Sequence, residues 1–328
     1  MGYLKNEFIP ILKKRNIKIV LQLGDFFNSR KEINTRTLHY IKNYFLRLLQ
    51  KENIRLIVFA GNHDSFYTDD SSIISVGSIE EFENVTVIRK PTLLQTENNI
   101  NFSIIPWISN EKEMEEFHTF VKQNPHNIVM GHFEMRDFEM VAGHVNPKGI
   151  SPAIFQNFKK VISGHYHIKQ FKDNIFYLGA PFQFTWNDYN QEKGFYIYNF
   201  QKDYLEFFEN KNIIYKKIFY KDSEYETLVQ DIPSCKDKII KLIVVEKEND
   251  VLFDKFVSEL EKTSPTKFDI IDGGIEVNVD NVQTYDETKN LIDVFDDYLK
   301  ELNHPKHKKI MNVIQTLYKD CVQENKNV

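Results

Sequence analysis

The chain has 328 residues, of which 41% are hydrophobic and 27% are charged, and this composition excludes a disordered or fibrous protein. Its net charge of −5 argues against a uniformly basic surface but allows a local nucleic-acid patch. Two distant cysteines, Cys235 and Cys321, exclude a disulfide framework and favour a reducing cytoplasm. The apolar runs are too short to span a membrane, and the N-terminus does not read as a secretory signal.

Short apolar runs alternate with helical patterns through residue 200, which predicts a layered α/β domain. Four runs rich in Val, Ile and Leu predict strands buried on both faces, at residues 17–23, 54–60, 127–130 and 160–163. Between the first two, apolar residues at helical spacing predict a helix over 34–50, with Asn34 or Thr35 as its N-cap. Further strands are expected at 174–178 and 194–199.

The composition changes after residue 200. Residues 201–237 read as a connecting segment with some strand, and a strand at 238–246, a helix at 250–262 and a strand at 275–279 predict a small α+β domain. Two amphipathic helices are expected at 286–302 and 308–322, and the apolar side of the last one would pack on its own domain or dock on a partner. The predicted domains are therefore 1–200, 201–280 and 281–328.

Each of the four predicted buried strands is followed by glycine and a side chain that can bind metal. The four joints are Gly24-Asp25, Gly61-Asn62-His63-Asp64, Gly131-His132 and Gly164-His165-Tyr166-His167. Ligands bind at the carboxyl ends of strands in an open α/β sheet, so these side chains are expected at one edge. Mixed oxygen and nitrogen ligands suit Mn, Fe or Zn better than Ca or Mg alone. The four joints together predict a metal centre.

These motifs resemble those of the calcineurin-like metallophosphoesterase superfamily, which are GD, GNH[DE], GH and GHxH. The segments GDFFNSRK, IIPWI, MGHFE and SGHYH with YLGAP are most similar to SbcD-type DNA-repair nucleases, and among these to the recombination nucleases of T-even-type bacteriophages. The resemblance is close over residues 3–200. It implies a layered sheet sandwich flanked by helices, with a smaller α+β cap domain and C-terminal helices.

The resemblance also implies two divalent metal ions, which we expect to be Mn. Asp25 would bridge the two ions. Asn62, His132 and His165 would complete the site of one ion, and His167 would join Asp25 on the other. Two ions about 3.5–4 Å apart can clamp a phosphodiester and hold a hydroxide in line with the leaving group.

The resemblance assigns catalysis to the GNHD motif. His63 would protonate the leaving oxygen, and Asp64 would orient His63. A histidine that binds metal is neutral whereas one that donates a proton is charged, so the two kinds need different surroundings. Four basic residues flank the motifs and could contact phosphate or simply face solvent: Arg30, Lys31, Arg36 and Lys169.

One departure from the family pattern concerns its first motif, Asp-x-His, which does not occur in this sequence. The second ion therefore has only Asp25 and His167 as recognisable ligands. A sheet without the strand that carries this motif would also expose a hydrophobic edge. We expect that the chain lacks an N-terminal segment, and the alternative is a degenerate subunit of low activity.

The sequence thus predicts a Mn-dependent DNA exo/endonuclease subunit in recombination and double-strand-break repair, working in a cytoplasm, that of the host if the protein is viral. By resemblance its partners would be DNA, an SbcC-like coiled-coil ABC-type ATPase bound by the C-terminal helices, and a second copy of the chain. Two alternatives stay open. One is a phosphomonoesterase or cyclic-nucleotide phosphodiesterase of the same superfamily, and the other is a non-catalytic structural subunit.

Overall fold

The computed structural model describes residues 2–124 and 128–272, and beyond them residues 296, 299, 300, 307–311, 313 and 314. The chain divides into two compact units, residues 1–273 and 274–328. The three-part division with a boundary after residue 200 stays a prediction. The predicted strand at 275–279 and most of the two predicted C-terminal helices lie outside the described residues.

The first sheet has three parallel strands in the order β1-β2-β3. The strands are β1 (Ile19–Gln22), β2 (Arg55–Phe59) and β3 (Val85–Ile88). The helical segments beside it are Leu4–Phe8, which is π-helical and leads into α1 (Ile9–Lys14), then α2 (Thr35–Ile41), a π-helical turn Lys42–Leu46, α3 (Arg47–Lys51) and a 3-10 turn Ser75–Ile79. The Asn34 side chain accepts hydrogen bonds from the backbone N–H groups of Arg36 and Thr37, which confirms the predicted N-cap.

The second sheet has six strands in the order β10-β11-β9-β6-β5-β4, with antiparallel strands at both edges and parallel strands in the middle. The strands from this part of the chain are β4 (Thr92–Gln95), β5 (Asn101–Ile105), β6 (Ile128–Gly131), the small hairpin β7 (Glu139–Val141) and β8 (His144–Val145), β9 (Lys160–Ser163), β10 (Gln170–Lys172) and β11 (Ile175–Tyr177). Helix α4 (Glu111–Gln123) and the 3-10 turn Pro152–Phe155 cover its outer face.

Side chains alternate between the layers along the buried strands. Leu56 and Val58 of β2 belong to the core under the first helices, whereas Ile57 and Phe59 face the second sheet. Ile162 of β9 meets them from the other side. Two sheets thus pack face to face with helices outside them, which confirms the predicted layered α/β sandwich.

One burial prediction is wrong. Strands β2, β6 and β9 are buried as expected, but β1 is only partly buried, and Ile19 is 49% exposed. The reason is pairing, since β1 pairs only with β2 and forms the edge of the described sheet. An apolar run alone does not distinguish an edge strand from a central one.

The rest of the first unit contains a hairpin and a third sheet. Its elements are the 3-10 turn Trp186–Asp188, β12 (Gly194–Asn199), β13 (Tyr204–Glu209), β14 (Tyr215–Lys221), the 3-10 turn Asp222–Glu224, α5 (Tyr225–Asp231), the 3-10 turn Ile232–Cys235, β15 (Ile239–Glu246), α6 (Asp250–Lys262) and β16 (Lys267–Asp272). Strands β14, β15 and β16 run parallel, and their core includes Tyr220, Leu242 and Phe256. None of the helices in the described part of the chain has the length and apolar character needed to cross a bilayer.

Candidate metal centre

The carboxyl ends of β1, β2, β6 and β9 bring four predicted ligands together. His132 Nε2 lies 3.2 Å from Asp25 Oδ2 and 3.0 Å from Asn62 Oδ1. His165 Nδ1 lies 3.0 Å from the same Asn62 oxygen and 3.2 Å from His132 Nε2. The carboxylate and the two imidazoles form a group whose ligand atoms all lie within 4.8 Å of one another.

Unusual backbone conformations hold this cluster. Asp25 and His165 have φ values of 55° and 81°, a left-handed region that non-glycine residues seldom adopt and that often marks functional sites. Gly24 has φ 86°, and a Cβ there would lie 2.3 Å from His132 Nδ1. A Cβ on Gly61 would lie 2.1 Å from Asp25 Oδ1. The glycines at these two strand ends therefore let Asp25 and His132 approach the neighbouring backbone.

The hydrogen bonds of His132 set which nitrogen faces the cluster. Its Nδ1–H donates to the Leu23 carbonyl at 2.7 Å, so Nε2 is the nitrogen turned toward Asp25. Burial disfavours a charged His132, but the Asp25 carboxylate outweighs burial and raises the pKa of His132. Burial likewise opposes ionisation of Asp25, and His132 followed by His63 lowers its pKa nonetheless. Burial, with the charge of His132, holds the pKa of His165 well below its ordinary value.

The donor set fits a divalent cation. A neutral His165 offers a lone pair on Nδ1, and the oxygens of Asp25 and Asn62 converge on the same space. The Asp25 carboxylate favours a proton on His132 in the chain by itself, and a bound cation would compete with that proton. The mixture of two imidazoles with an amide and a carboxylate oxygen is typical of first-row transition metals such as Mn, Fe or Zn.

His63 lies beside this cluster in an open cleft. Its backbone N–H donates to Asp25 Oδ1 at 2.8 Å, and its Nδ1 lies 3.0 Å from the Asn28 carbonyl, which orients the ring. The cleft has a volume of about 680 Å³, and residues 28–32 form the rest of its lining. A histidine held by Nδ1 keeps Nε2 available for proton transfer.

The four basic residues predicted near phosphate have different surroundings. Arg30 and Lys31 line the cleft with His63, and the Nη1 group of Arg30 is buried without a hydrogen-bond partner among the described residues. Arg36 stacks on Tyr40, 5.7 Å from the ring centre. Lys169 pairs with Glu192. The first two are therefore the better placed to meet an anion in the cleft.

Asp64 is fully buried, and its carboxylate binds mainly backbone N–H groups. Its Oδ2 accepts hydrogen bonds from the N–H groups of Phe26 and Gly61, and its Oδ1 accepts them from the N–H of Phe27 and the hydroxyl of Ser75. Burial raises the pKa of Asp64, while the three backbone donors act in the opposite direction. Asp64 thus ties the loop after β1 to the loop after β2, and none of these bonds reaches the His63 ring. We infer a positioning role rather than direct proton transfer.

His167 stands apart from the cluster. Its side chain is 45% exposed, its Nδ1 lies 3.7 Å from Asp188 Oδ1, and it is not a member of the ligand group found among the described residues. The structure brings Asp25, Asn62, His132 and His165 together, with His63 next to them. His167 lies outside that group of three or more ligands, and the assignment of all these residues as metal ligands stays a prediction.

Three residues near the site could not be assigned to it from sequence. The Trp107 ring stacks on His165, with ring centres 5.5 Å apart and planes 29° apart. Asp188 and Lys193 form a buried ion pair behind His167. The IIPWI segment, which already pointed to a nuclease, was the available signal for Trp107. No motif marked the other two.

Comparisons with known proteins agree with this geometry. Residues 4–169, half of the chain, match the family model described as calcineurin-like phosphoesterase. The chain is 25% identical over 320 residues to "Exonuclease subunit 1" of Enterobacteria phage T4, covering 97% of this chain and 91% of that protein. A solved structure described as a novel archaeal phosphodiesterase matches 62% of this chain and 88% of its own, at 12% identity and a TM-score of 0.32, which is too low to support an argument. The chain therefore belongs to the calcineurin-like phosphoesterase family.

Proposed function

We propose that the protein is a divalent-metal-dependent nuclease that hydrolyses phosphodiester bonds of DNA, with Mn as the natural ion. The observation that carries the proposal is the cluster of Asp25, Asn62, His132 and His165 beside His63 in an open cleft. The likeness of nearly the whole chain to an exonuclease subunit supports DNA as the substrate.

The chain's own residues would divide the work as follows. One ion would be held by four residues: Asp25, Asn62, His132 and His165. A second ion would be held in part by Asp25 and His167. A bound ion would neutralise phosphate charge and lower the pKa of the attacking water. His63 would donate a proton to the leaving oxygen from Nε2, because its Nδ1 is engaged with the Asn28 carbonyl.

The cleft supports a polymeric anion as the substrate. Arg30 and Lys31 line it together with His63, and both offer positive charge to a phosphate. Contacts to phosphate alone give binding that is independent of base sequence and weakens steeply with salt. We propose that this cleft holds the DNA strand that is cut.

The assembly follows from the same likeness. The relative is described as a subunit, which supports a complex with at least one other protein. We propose an SbcC-like coiled-coil ABC-type ATPase as that partner, bound through residues 281–328, in a dimer of the present chain. Residues 201–280 would act as a cap over the DNA. The place of action would be the host cytoplasm, in recombination and double-strand-break repair.

Degradation of linear duplex DNA with Mn²⁺, with EDTA and by His63→Ala tests the proposal. We expect Mn²⁺-dependent cleavage that EDTA abolishes and that His63→Ala lowers by about 10²- to 10⁴-fold. His144→Ala is the matched control, since His144 is an exposed histidine on the β7–β8 hairpin. Hydrolysis of a small chromogenic phosphodiester without DNA cleavage would instead favour the small-substrate phosphodiesterase. DNA binding without any hydrolysis would favour the structural subunit.

A further inference from the structure

Asp188 and Lys193 form a buried ion pair that the ligand cluster does not explain. Their side chains are 1% and 3% exposed, and Lys193 Nζ lies 2.5 Å from Asp188 Oδ1. Removing two charges from water has a large free-energy cost, and hydrophobic residues of similar volume often stabilise a fold as well or better. A pair of this kind therefore calls for a reason beyond stability.

The hydrogen bonds of the pair fix its geometry completely. Lys193 Nζ also donates to the His167 carbonyl at 2.7 Å and to the Gln191 side chain at 3.1 Å. The second carboxylate oxygen of Asp188 accepts from the backbone N–H groups of Phe184 and Thr185, at 2.8 and 3.0 Å. Three donors contact the Asp188 carboxylate and three acceptors surround Lys193 Nζ, so both charged groups are held in place.

The contacts of the pair converge on His167. Lys193 holds the backbone carbonyl of His167, and Asp188 Oδ1 faces the Nδ1 of its ring at 3.7 Å. The Phe184 ring, next to the backbone that Asp188 anchors, lies 5.6 Å from the imidazole. A carboxylate beside Nδ1 favours the tautomer that carries its proton there, which leaves the Nε2 lone pair as the available ligand.

We propose that Asp188 and Lys193 are positioning residues that hold His167 as an Nδ1–H imidazole, so that its Nε2 can bind a divalent cation. This inference rests on the proposed function. Two side chains distant from His167 in sequence would support it. The Asp188 carboxylate would select the tautomer, and Lys193 would fix the His167 backbone and neutralise that carboxylate.

The test uses the full chain with Asp188→Asn, and Asp203→Asn as the matched control. The buried Lys160, at the start of β9, pairs at 2.5 Å with the partly exposed Asp203, whereas His165 and His167 follow the end of that strand. The first readout is the ¹⁵N chemical shifts of the His167 ring in the metal-free protein, which report the tautomer. The second is the Mn²⁺ concentration that gives half-maximal DNA cleavage.

We expect Asp188→Asn to change the His167 tautomer and to raise the Mn²⁺ requirement by about 10-fold or more, as loss of such outer contacts does at other metal sites. In a His167→Ala background the same substitution should have no further effect on the Mn²⁺ requirement, because the residues act through one ring. Asp203→Asn should leave both readouts unchanged. If Asp188→Asn lowers thermal stability and changes neither readout, the Asp188–Lys193 pair only stabilises the fold and the proposal is overturned.

Failure of the proposed function and failure of this proposal can be told apart in two ways. If the wild-type chain does not cleave DNA, the proposed function fails, but the His167 spectrum of the metal-free protein still decides whether Asp188 selects the tautomer. If Asp188→Asn does not fold, Asp188→Glu is used, since it keeps the charge beside Lys193 while displacing the carboxylate from Nδ1. An unchanged His167 spectrum in Asp188→Glu would then overturn the proposal.

Discussion

The two histidines of the SGHYH segment lie two residues apart but are held in different ways. His165 is placed by a left-handed backbone and by neighbours at 3.0–3.2 Å that come from the ends of other strands. His167 is half exposed and is supported by side chains from the segment 184–193. The first half of the site is therefore built by the sheet, whereas the second depends on a loop that packs beside it. Substitutions in the two halves should have different costs.

The largest effect is expected from His132→Ala. It removes the imidazole that contacts Asp25, Asn62 and His165 at once, so we expect DNA cleavage to fall to the limit of detection. Binding of Mn²⁺, measured as the rise in melting temperature on adding the ion, should be lost as well. A variant that still gains stability from Mn²⁺ would contradict the central position given to His132. His144→Ala is the control here too.

Gly61→Ala tests how closely the backbone must approach Asp25. The new Cβ would lie 2.1 Å from Asp25 Oδ1 and 2.3 Å from its backbone nitrogen, so Asp25 has to move. We expect kcat/KM to fall about 100-fold, since displacement of a group by 1 Å can cost that much. Gly77→Ala is the control, because its Cβ meets only the flexible end of Arg89 at 3.2 Å. Equal activity in the two variants would show that the loop adapts.

His167→Ala separates the halves of the site. The cluster around His132 stays intact, so we expect one ion to remain bound while cleavage at low Mn²⁺ falls about 10-fold, and high Mn²⁺ should restore part of it. Calorimetric titration gives the stoichiometry in the two proteins. Loss of all Mn²⁺ binding in His167→Ala would mean that the two halves form a single site.

The smallest effect on activity is expected from Asp203→Asn, which should change stability instead. Lys160 stays buried without its carboxylate partner, and we expect the free energy of unfolding to fall by about 2–3 kcal/mol. Burial opposes ionisation of Asp203, but Lys160, Tyr198 and Lys159 outweigh it and lower its pKa to about 2. A lowered pKa stabilises the fold above about pH 4 and loses that effect as the pH falls toward 2. Denaturant titrations of both proteins should therefore converge between pH 4 and pH 2.

The positions of the proposed metal-binding side chains could be predicted because each follows an apolar run and a glycine. Neighbouring parallel strands carry their carboxyl ends to one edge, which brings Asp25 near Asn62 in the first sheet and His132 near His165 in the second. The expectation of one shared sheet edge is wrong, because the two pairs belong to different sheets and meet through the packing of those sheets. The apolar run of β1 does not say whether the strand has one neighbour or two, but the absence of an Asp-x-His strand predicted the exposed hydrophobic edge that β1 forms in the described sheet. Strand β16 (KFDIID) was not predicted because a lysine and two aspartates interrupt its apolar residues, although Phe and Ile favour a strand.

The roles of single carboxylates were harder to predict. Asp64 sits in the GNHD motif, and the sequence does not say whether its oxygens face the cleft or the backbone. Asp188 and Lys193 lie more than twenty residues after His167, with nothing in their spacing to connect them to it. Such contacts depend on where a loop packs against the sheet. Tertiary packing decides that position, and no local sequence pattern reveals it.

The four hydrogen bonds to Asp64 also have a consequence for how the site opens. The amides of Phe26, Phe27 and Gly61 belong to two loops 34 or more residues apart but share one acceptor. Neither loop can move away from Asp64 without breaking hydrogen bonds that hold the other loop. Local unfolding should therefore expose the three amide protons together. In a hydrogen-exchange experiment they should exchange as one cooperative group, and more slowly than amides elsewhere in the two loops. The GD and GNHD motifs would then open and close as a single unit.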